Sequence, residues 1–166
     1  MISPKVQLKN KPYYRFEIFP DLNLIAAFSS RALGNMSLFY GQTKDALENR
    51  KHFLGDLGVD YKDLVGAQQV HGNAARYIQE TDKGKGAKTF ETAIAHADAL
   101  VTDKKNIPLA ILTADCLSVF LYDPGKPAIG VVHAGWRSTK DNIAAETIKL
   151  MREKFDSRPQ DLSAAF

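Results

Sequence analysis

A chain of 166 residues with 45% hydrophobic side chains can bury a sizeable core and reads as one domain, residues 1–166. The net charge of +3 comes from mixed signs along the whole chain, so no basic tail marks it for nucleic acid. No run approaches the roughly 18 apolar residues of a membrane helix, residues 1–11 hold no apolar signal core, and one cysteine forbids an intrachain disulfide and fits a reducing compartment. The expectation is a soluble, cytoplasmic protein, monomer or homodimer, without membrane or nucleic-acid partners.

Residues 13–19 alternate around Phe16, Ile18 and Phe19 and predict a strand. Pro20-Asp21 marks a turn, and residues 22–28 predict the returning strand of an N-terminal hairpin. Residues 29–37, with Arg31, Gly34 and Asn35, read as a loop. Ala46, Leu47, Arg50, Phe53, Leu54 and Leu57 fall at helical spacing over residues 43–57, with Thr43 as N-cap and Gly58 as the stop. Residues 64–71 and 74–78 are short strand candidates around Gly72. Residues 81–88 lack apolar periodicity and predict a mobile surface loop; with no strand before it and no helix after it, a phosphate-binding glycine loop is the weaker reading. Apolar runs at 98–102, 107–112, 117–122 and 128–133 predict buried strands. Residues 139–155 predict a second helix, lined by Ile143, Thr147, Ile148, Met151 and Phe155, with Ser138 and Asp141 spaced as a capping box. Strands interleaved with two helices indicate an α/β (α+β) fold of layered mixed sheets flanked by helices. Residues 162–166 begin an apolar run that stops within itself, which suggests a chain truncated at its C-terminus.

Three residues carry the chemistry. Cys116 stands in Thr113-Ala114-Asp115-Cys116, His133 opens His133-Ala134-Gly135-Trp136-Arg137, and His71 stands in Gln69-Val70-His71-Gly72. Two imidazoles and a thiolate suit zinc, and three protein ligands leave one position open. The segment Asp123-Pro124-Gly125-Lys126-Pro127 is a hairpin turn, with Pro124 setting φ and Gly125 taking positive φ. Pairing Tyr122 with Ala128 or Pro127 puts Cys116 opposite His133 or one residue off it, and opposed residues share a face. The position of His71 does not follow from the sequence. A lone cysteine is ordinarily a small hydrophobe, and a lone histidine a hydrogen-bonded structural residue; His52 and His96 are placed in that class. Trp136 reads as core or pocket wall, and Arg137 as either an anion ligand or an ordinary surface arginine.

At these residues the chain resembles the YfiH family, also called the laccase-domain or multicopper polyphenol oxidase family. The resemblance is carried by Arg31 with Gly34-Asn35-Met36-Ser37-Leu38, by Gln69-Val70-His71-Gly72, by Ala97-Asp98-Ala99-Leu100-Val101-Thr102, by Thr113-Ala114-Asp115-Cys116-Leu117, and by His133-Ala134-Gly135-Trp136-Arg137. It implies a metal bound by His71, Cys116 and His133, and a layered α/β architecture. It also implies phosphorolysis of adenosine, inosine and methylthioadenosine, with hydrolytic deamination of adenosine. Purine nucleoside and phosphate are then the partners, and Zn2+ the cofactor, with Cu2+ as the alternative. Arg31, Asn35 and Arg137 are the candidate substrate-binding residues, the arginines for phosphate. Asp115 and Arg137 are the candidate catalytic residues, Asp115 as proton shuttle or as support for a ligand histidine. Ser118 replaces the proline usual in the family, and Ser138 the usual glycine. Family members run on for roughly half again as long, through a Gly-Pro-rich segment and a Cys-Tyr-Glu-like motif, so the C-terminal part of the domain is expected to be missing.

Other classes stay open. Cys116 facing His133 is also the dyad of a metal-free cysteine hydrolase. Two histidines and a cysteine can make a copper site, although nothing places a methionine beside it and a multicopper enzyme needs more than four histidines. A metal-binding fragment without turnover is the fourth reading.

Overall fold

The computed structural model describes residues 6–7, 11–19 and 23–166. The fold is mixed α/β, and the chain forms two compact units: Met1–Tyr61 with Ala165, and Lys62–Ala164 with Phe166.

In the first unit, β2 (Tyr13–Phe16) lies between β1 (Val6–Gln7) and β3 (Ala27–Ser29), antiparallel to both. The predicted hairpin pairing is present, with Tyr13 opposite Ser29, although both strands are shorter than their alternation suggested. The Pro20-Asp21 turn and Leu22 lie outside the described residues. Helix α1 (Thr43–Asp56) buries Ala46, Arg50 and Leu54, one every fourth residue. Gln42, not Thr43, is its N-cap, and no side chain caps it. It stops where expected: Gly58 takes φ +74, a left-handed conformation cheap only for glycine, and donates to the Gly55 carbonyl.

The second unit is built on a five-stranded sheet in the order β10 (Ser163–Ala165), β8 (Leu117–Asp123), β9 (Ala128–Ala134), β6 (Ala99–Thr102), β5 (Ala75–Tyr77). β8, β9 and β6 are antiparallel neighbours, and β5 runs parallel to β6. A two-stranded parallel sheet pairs β4 (Val65–Gly66) with β7 (Leu109–Ala110). Alternation along the central strands fills two cores. Ala99, Val101, Leu121 and Val132 pack against Ile143, Met151 and Phe155 of helix α3 (Ile143–Phe155). Leu100 and Val131, on the other face, pack with Val65, Ile78, Ala97 and Ile107. Both faces are therefore covered, which is why these strands read as continuous apolar runs.

Three expectations need correction here. The helix predicted over 139–155 is broken: α2 (Trp136–Lys140) ends before Asn142, which sits at φ 60, ψ 38, and α3 starts anew. Ser138 is not a cap. It lies inside α2, fully buried, and its hydroxyl donates to the carbonyls of His133 and Gly135, both at 3.1 Å. The segment 81–88 is not a loose surface loop but a run of tight turns packed on β4. The Gly66 amide donates to the Lys85 carbonyl at 2.8 Å, and Gly86 and Ala87 are buried. Its glycines serve close approach, since a Cβ on Gly86 would lie 2.8 Å from that of Ala93.

The β8–β9 hairpin exists, but its register differs from both pairings considered. Asp123 pairs with Ala128 and Tyr122 with Ile129, so Ser118, not Cys116, stands opposite His133. The cause is the side chain of Asp123. Its carboxylate accepts from the amides of Gly125 (2.9 Å) and Lys126 (3.2 Å), holding four residues in the loop. Gly125 therefore does not take the positive φ expected of it.

Candidate metal centre

The three side chains singled out in the sequence do meet. The ligand-capable atoms of His71, Cys116 and His133 all lie within 4.8 Å of one another. The His71 and His133 rings sit edge to face with centroids 4.8 Å apart. His133 is buried, Cys116 half-buried and His71 exposed, so the cluster opens to solvent on the His71 side.

Each arrives by a separate route. His133 belongs to β9 and points to the face away from α3, like Val131. Cys116 lies one residue before β8. It sits in the bend of residues 114–116, and Ser118, two residues on, stands opposite His133. The predicted meeting of thiol and imidazole thus occurs diagonally rather than directly. His71 comes from the turn between β4 and β5, at φ 60. A non-glycine residue in the left-handed region costs about 1 kcal/mol, so something must hold it.

That residue is Asp98, which carried no assigned role in the sequence reading. Its carboxylate is fully buried. Oδ2 accepts from the amides of Val70 (3.1 Å) and Gly72 (2.8 Å), and Oδ1 from that of His71 (3.0 Å). Oδ1 also lies 2.8 Å from His133 Nδ1. The β6–β9 register explains this last contact: Ala99 pairs with Val132, and one step back Asp98 stands opposite His133, whose amide donates to the Asp98 carbonyl at 2.7 Å. Burial pushes the Asp98 carboxyl up; the hydrogen bonds from His133, Gly72, Val70 and His71 outweigh it and hold the group below the ordinary carboxylate range. With Asp98 accepting, Nδ1 of His133 is the donor and Nε2 is the ring nitrogen left for a ligand. A signal existed in the sequence: an aspartate inside the apolar run Ala97–Val101 must be partnered if it is buried.

Gly135 closes the cluster from below. A Cβ there would lie 3.0 Å from Cys116 Sγ and 3.2 Å from His71 Cδ2. The donor set therefore fits a metal ion on chemistry as well as proximity. It offers soft sulfur, two imidazoles, a carboxylate orienting one of them, and a packed floor.

Asp115 is exposed, with a carboxylate oxygen 4.0 Å from Cys116 Sγ. Arg137 is exposed on α2, its guanidinium 4.9 Å from the centre of the Trp136 ring. Trp136 is 72% exposed, so it is not core. Arg31 and Asn35 belong to the first unit. Arg31 is exposed at the start of the 3-10 turn Arg31–Leu33. The Asn35 carboxamide donates to the Tyr40 carbonyl (2.5 Å) and accepts from the Ser37 amide (2.9 Å), so much of its bonding orders its own loop. Arg50 and Asn49 of α1 hold that loop through the carbonyls of Met36 (2.8 Å) and Asn35 (2.9 Å). His52 is exposed on α1, and His96 is exposed at φ 47.

A family model described as multi-copper polyphenol oxidoreductase laccase matches residues 28–166, and the chain belongs to that family. Among its relatives, the purine nucleoside phosphorylase YlmD of Bacillus subtilis is 38% identical over 120 residues, 72% of this chain and 43% of that protein. YlmD of Geobacillus stearothermophilus is 33% identical over 132 residues, 79% and 48% respectively. A protein from an unknown prokaryotic organism named adenosine deaminase RL5 is 35% identical over 105 residues, 63% of this chain and 40% of its own. The crystal structure of the Geobacillus YlmD superposes with a TM-score of 0.89 at 28% identity, covering 98% of this chain and 64% of that one. The chain thus spans less than half the length of these curated relatives. Among the described residues, no helix is long and apolar enough to cross a membrane.

Proposed function

We propose that this chain binds zinc through His71, Cys116 and His133 and acts on purine nucleosides in the cytoplasm, by phosphorolysis and by deamination of adenosine. The observation that carries the reading is the convergence of three ligand atoms within 4.8 Å, with Asp98 orienting His133. The names of the relatives, purine nucleoside phosphorylase and adenosine deaminase, support the substrate class. Adenosine, inosine and methylthioadenosine are the proposed nucleosides.

A bound zinc supplies Lewis acidity and makes water a nucleophile near neutral pH. The chain's own residues do the rest. Asp98 fixes His133 so that Nε2 faces the cluster. Asp115, exposed beside Cys116, is the proposed carrier of a proton between solvent and the purine during deamination. In phosphorolysis a phosphate oxygen bonds to the ribose C1′ as the bond to the base breaks. Arg137 and Arg31 are each proposed as a phosphate ligand on the family resemblance, since a guanidinium presents paired donors to an oxyanion.

One observation favours a second reading. Asp98, His133 and Cys116 follow one another as carboxylate, imidazole and thiol, the order that orients and activates a nucleophilic cysteine. Metal analysis of the purified protein, combined with an adenosine assay with and without phosphate, separates the readings. Stoichiometric zinc, lost in Cys116→Ala together with adenine and inosine formation, supports the first. Turnover that survives chelation and is abolished by alkylating Cys116 supports the second. Metal without turnover leaves a metal-binding protein. Stoichiometric copper with phenol oxidation would replace zinc by the copper reading.

A further inference from the structure

We infer that Gln69 is a positioning residue that sets Cys116 in the ligand cluster; the inference rests on the metal reading above. Residues 111–116 connect β7 to β8 and lie in neither helix nor strand. Cys116 is the last of them, so its place depends on what fixes that connection. Downstream it is tied by the first pair of β8, Leu117 with Ala134. Within the connection, Thr113 Oγ1 lies 3.2 Å from Ser118 Oγ of β8, and upstream of that the Gln69 side chain ties it. Gln69 Oε1 accepts from the Leu112 amide at 2.8 Å, and Gln69 Nε2 donates to the Leu112 carbonyl at 2.8 Å. The carboxamide thus pairs with Leu112 as a strand residue would, and pins the connection at its second residue.

The bond matters because of where Gln69 sits. It lies two residues before His71, on the turn whose next three amides are held by Asp98, and Asp98 also holds His133. A continuous chain of bonds therefore runs from the Cys116 connection through Gln69 and the 70–72 turn to His133. Each of the three ligand-bearing segments is fixed relative to the other two. The chemistry needs a carboxamide. Glutamate offers acceptors only, and lysine or arginine donors only, so none can bond both backbone atoms of Leu112. Glutamine is the residue that reaches them and does both.

Cobalt(II) in place of zinc tests this, because a thiolate ligand gives a charge-transfer band while the d–d bands report the whole coordination sphere. Wild type should show both. In Gln69→Ala the charge-transfer band should weaken against the d–d bands, and cobalt affinity should fall about tenfold to a hundredfold, the usual effect of removing a bond that orients a ligand. Gln69→Glu, which keeps the bond from the Leu112 amide, should fall between the two and guards against a misfolded alanine variant. Thr147→Ala is the stability control: Thr147 is buried on α3, and its hydroxyl donates to the Ile143 carbonyl at 2.7 Å. It should lower the melting temperature and leave the band unchanged. Unaltered band and affinity in both Gln69 variants, or equal loss of the band in Thr147→Ala, would overturn the inference alone. Wild-type protein that takes up no cobalt would overturn the metal reading and this inference with it.

Discussion

The floor of the cluster offers a sharp test, because Gly135 can be filled without straining the backbone. Its φ of −72 and ψ of 169 are extended values that any residue adopts, so Gly135→Ala creates a steric problem and nothing else. The new methyl would lie 3.0 Å from Cys116 Sγ and 3.2 Å from His71 Cδ2, against about 3.5–4.0 Å for relaxed carbon contacts. Two of the three ligands must give way by a few tenths of an ångström, while metal–ligand distances tolerate about 0.2 Å. Zinc affinity should fall about tenfold to a hundredfold, the range seen when ligand orientation is disturbed, which is about 1.4–2.7 kcal/mol. The metal-free fold should lose less, on the order of the alanine-for-glycine difference at a helix N-cap, about 1 kcal/mol. Chelator competition measures the first quantity, and urea unfolding in excess chelator the second. Gly55→Ala is the control. No atom lies within 4 Å of its added methyl, in the last turn of α1, so it should stabilise by about 0.4–1 kcal/mol and leave affinity untouched. An unchanged zinc Kd in a folded Gly135→Ala protein would refute the packing argument.

The other predictions concern charge. Asp98→Asn keeps the shape but turns a buried N–H toward at least one of the amides of residues 70–72 in place of an acceptor, so the metal-free protein should lose about 1–3 kcal/mol in urea unfolding; an unchanged midpoint would show that the four bonds are dispensable. Arg137→Ala and Arg31→Ala should each raise the KM for phosphate with zinc content unchanged, and phosphate saturation curves identical to wild type would remove the residue concerned from the site. Asp82 gives a pH test away from the cluster. Burial raises its carboxyl, but the Gln79 amide (2.9 Å) and Lys85 (2.7 Å) bring it below the usual carboxylate value. A depressed folded value means a contribution present above about pH 4 and lost as pH falls through the lower folded value. The stability cost of Asp82→Asn should therefore shrink on the acid side, and an equal cost at both ends of that window would refute the assignment.

What could be read from the sequence depended on range. Strand and helix positions in the second unit follow local periodicity, and β6, β8 and β9 lie within a residue or so of their apolar runs. The break at Asn142 escaped because the apolar spacing continues through it, while the left-handed conformation is set locally by Asn142 itself. The hairpin was legible but its register was not: the Asp123 carboxylate holds the four-residue loop, a side-chain effect that turn statistics at Pro124-Gly125 do not carry. Cys116 and His133 still meet, although Ser118 and not Cys116 stands opposite His133. Asp98 and Gln69 were missed for a different reason. Their partners lie 35 and 43 residues away, and only the β6–β9 pairing and the packing of the 111–116 connection bring them there.

Charge balance discriminates between the two readings of the cluster. Asp98 is fully buried, its hydrogen bonds hold its carboxyl below the ordinary carboxylate range, and the one to His133 Nδ1 leaves Nε2 turned toward the cluster. A metal takes cysteine as thiolate and histidine through a free ring nitrogen, so on the metal reading Asp98 and Cys116 bring two negative charges to the cluster. A divalent cation cancels that charge and satisfies Nε2 of His133, His71 and the sulfur at once. The hydrolase reading moves a proton from Cys116 to His133 instead, which leaves His71 without a task. It also leaves unexplained why three consecutive backbone amides, those of residues 70–72, are spent on fixing the turn that carries His71. A thiol–imidazole pair needs Asp98 and His133 alone; the bonds to the His71 turn are required when three ligands must be held at fixed separations around one ion.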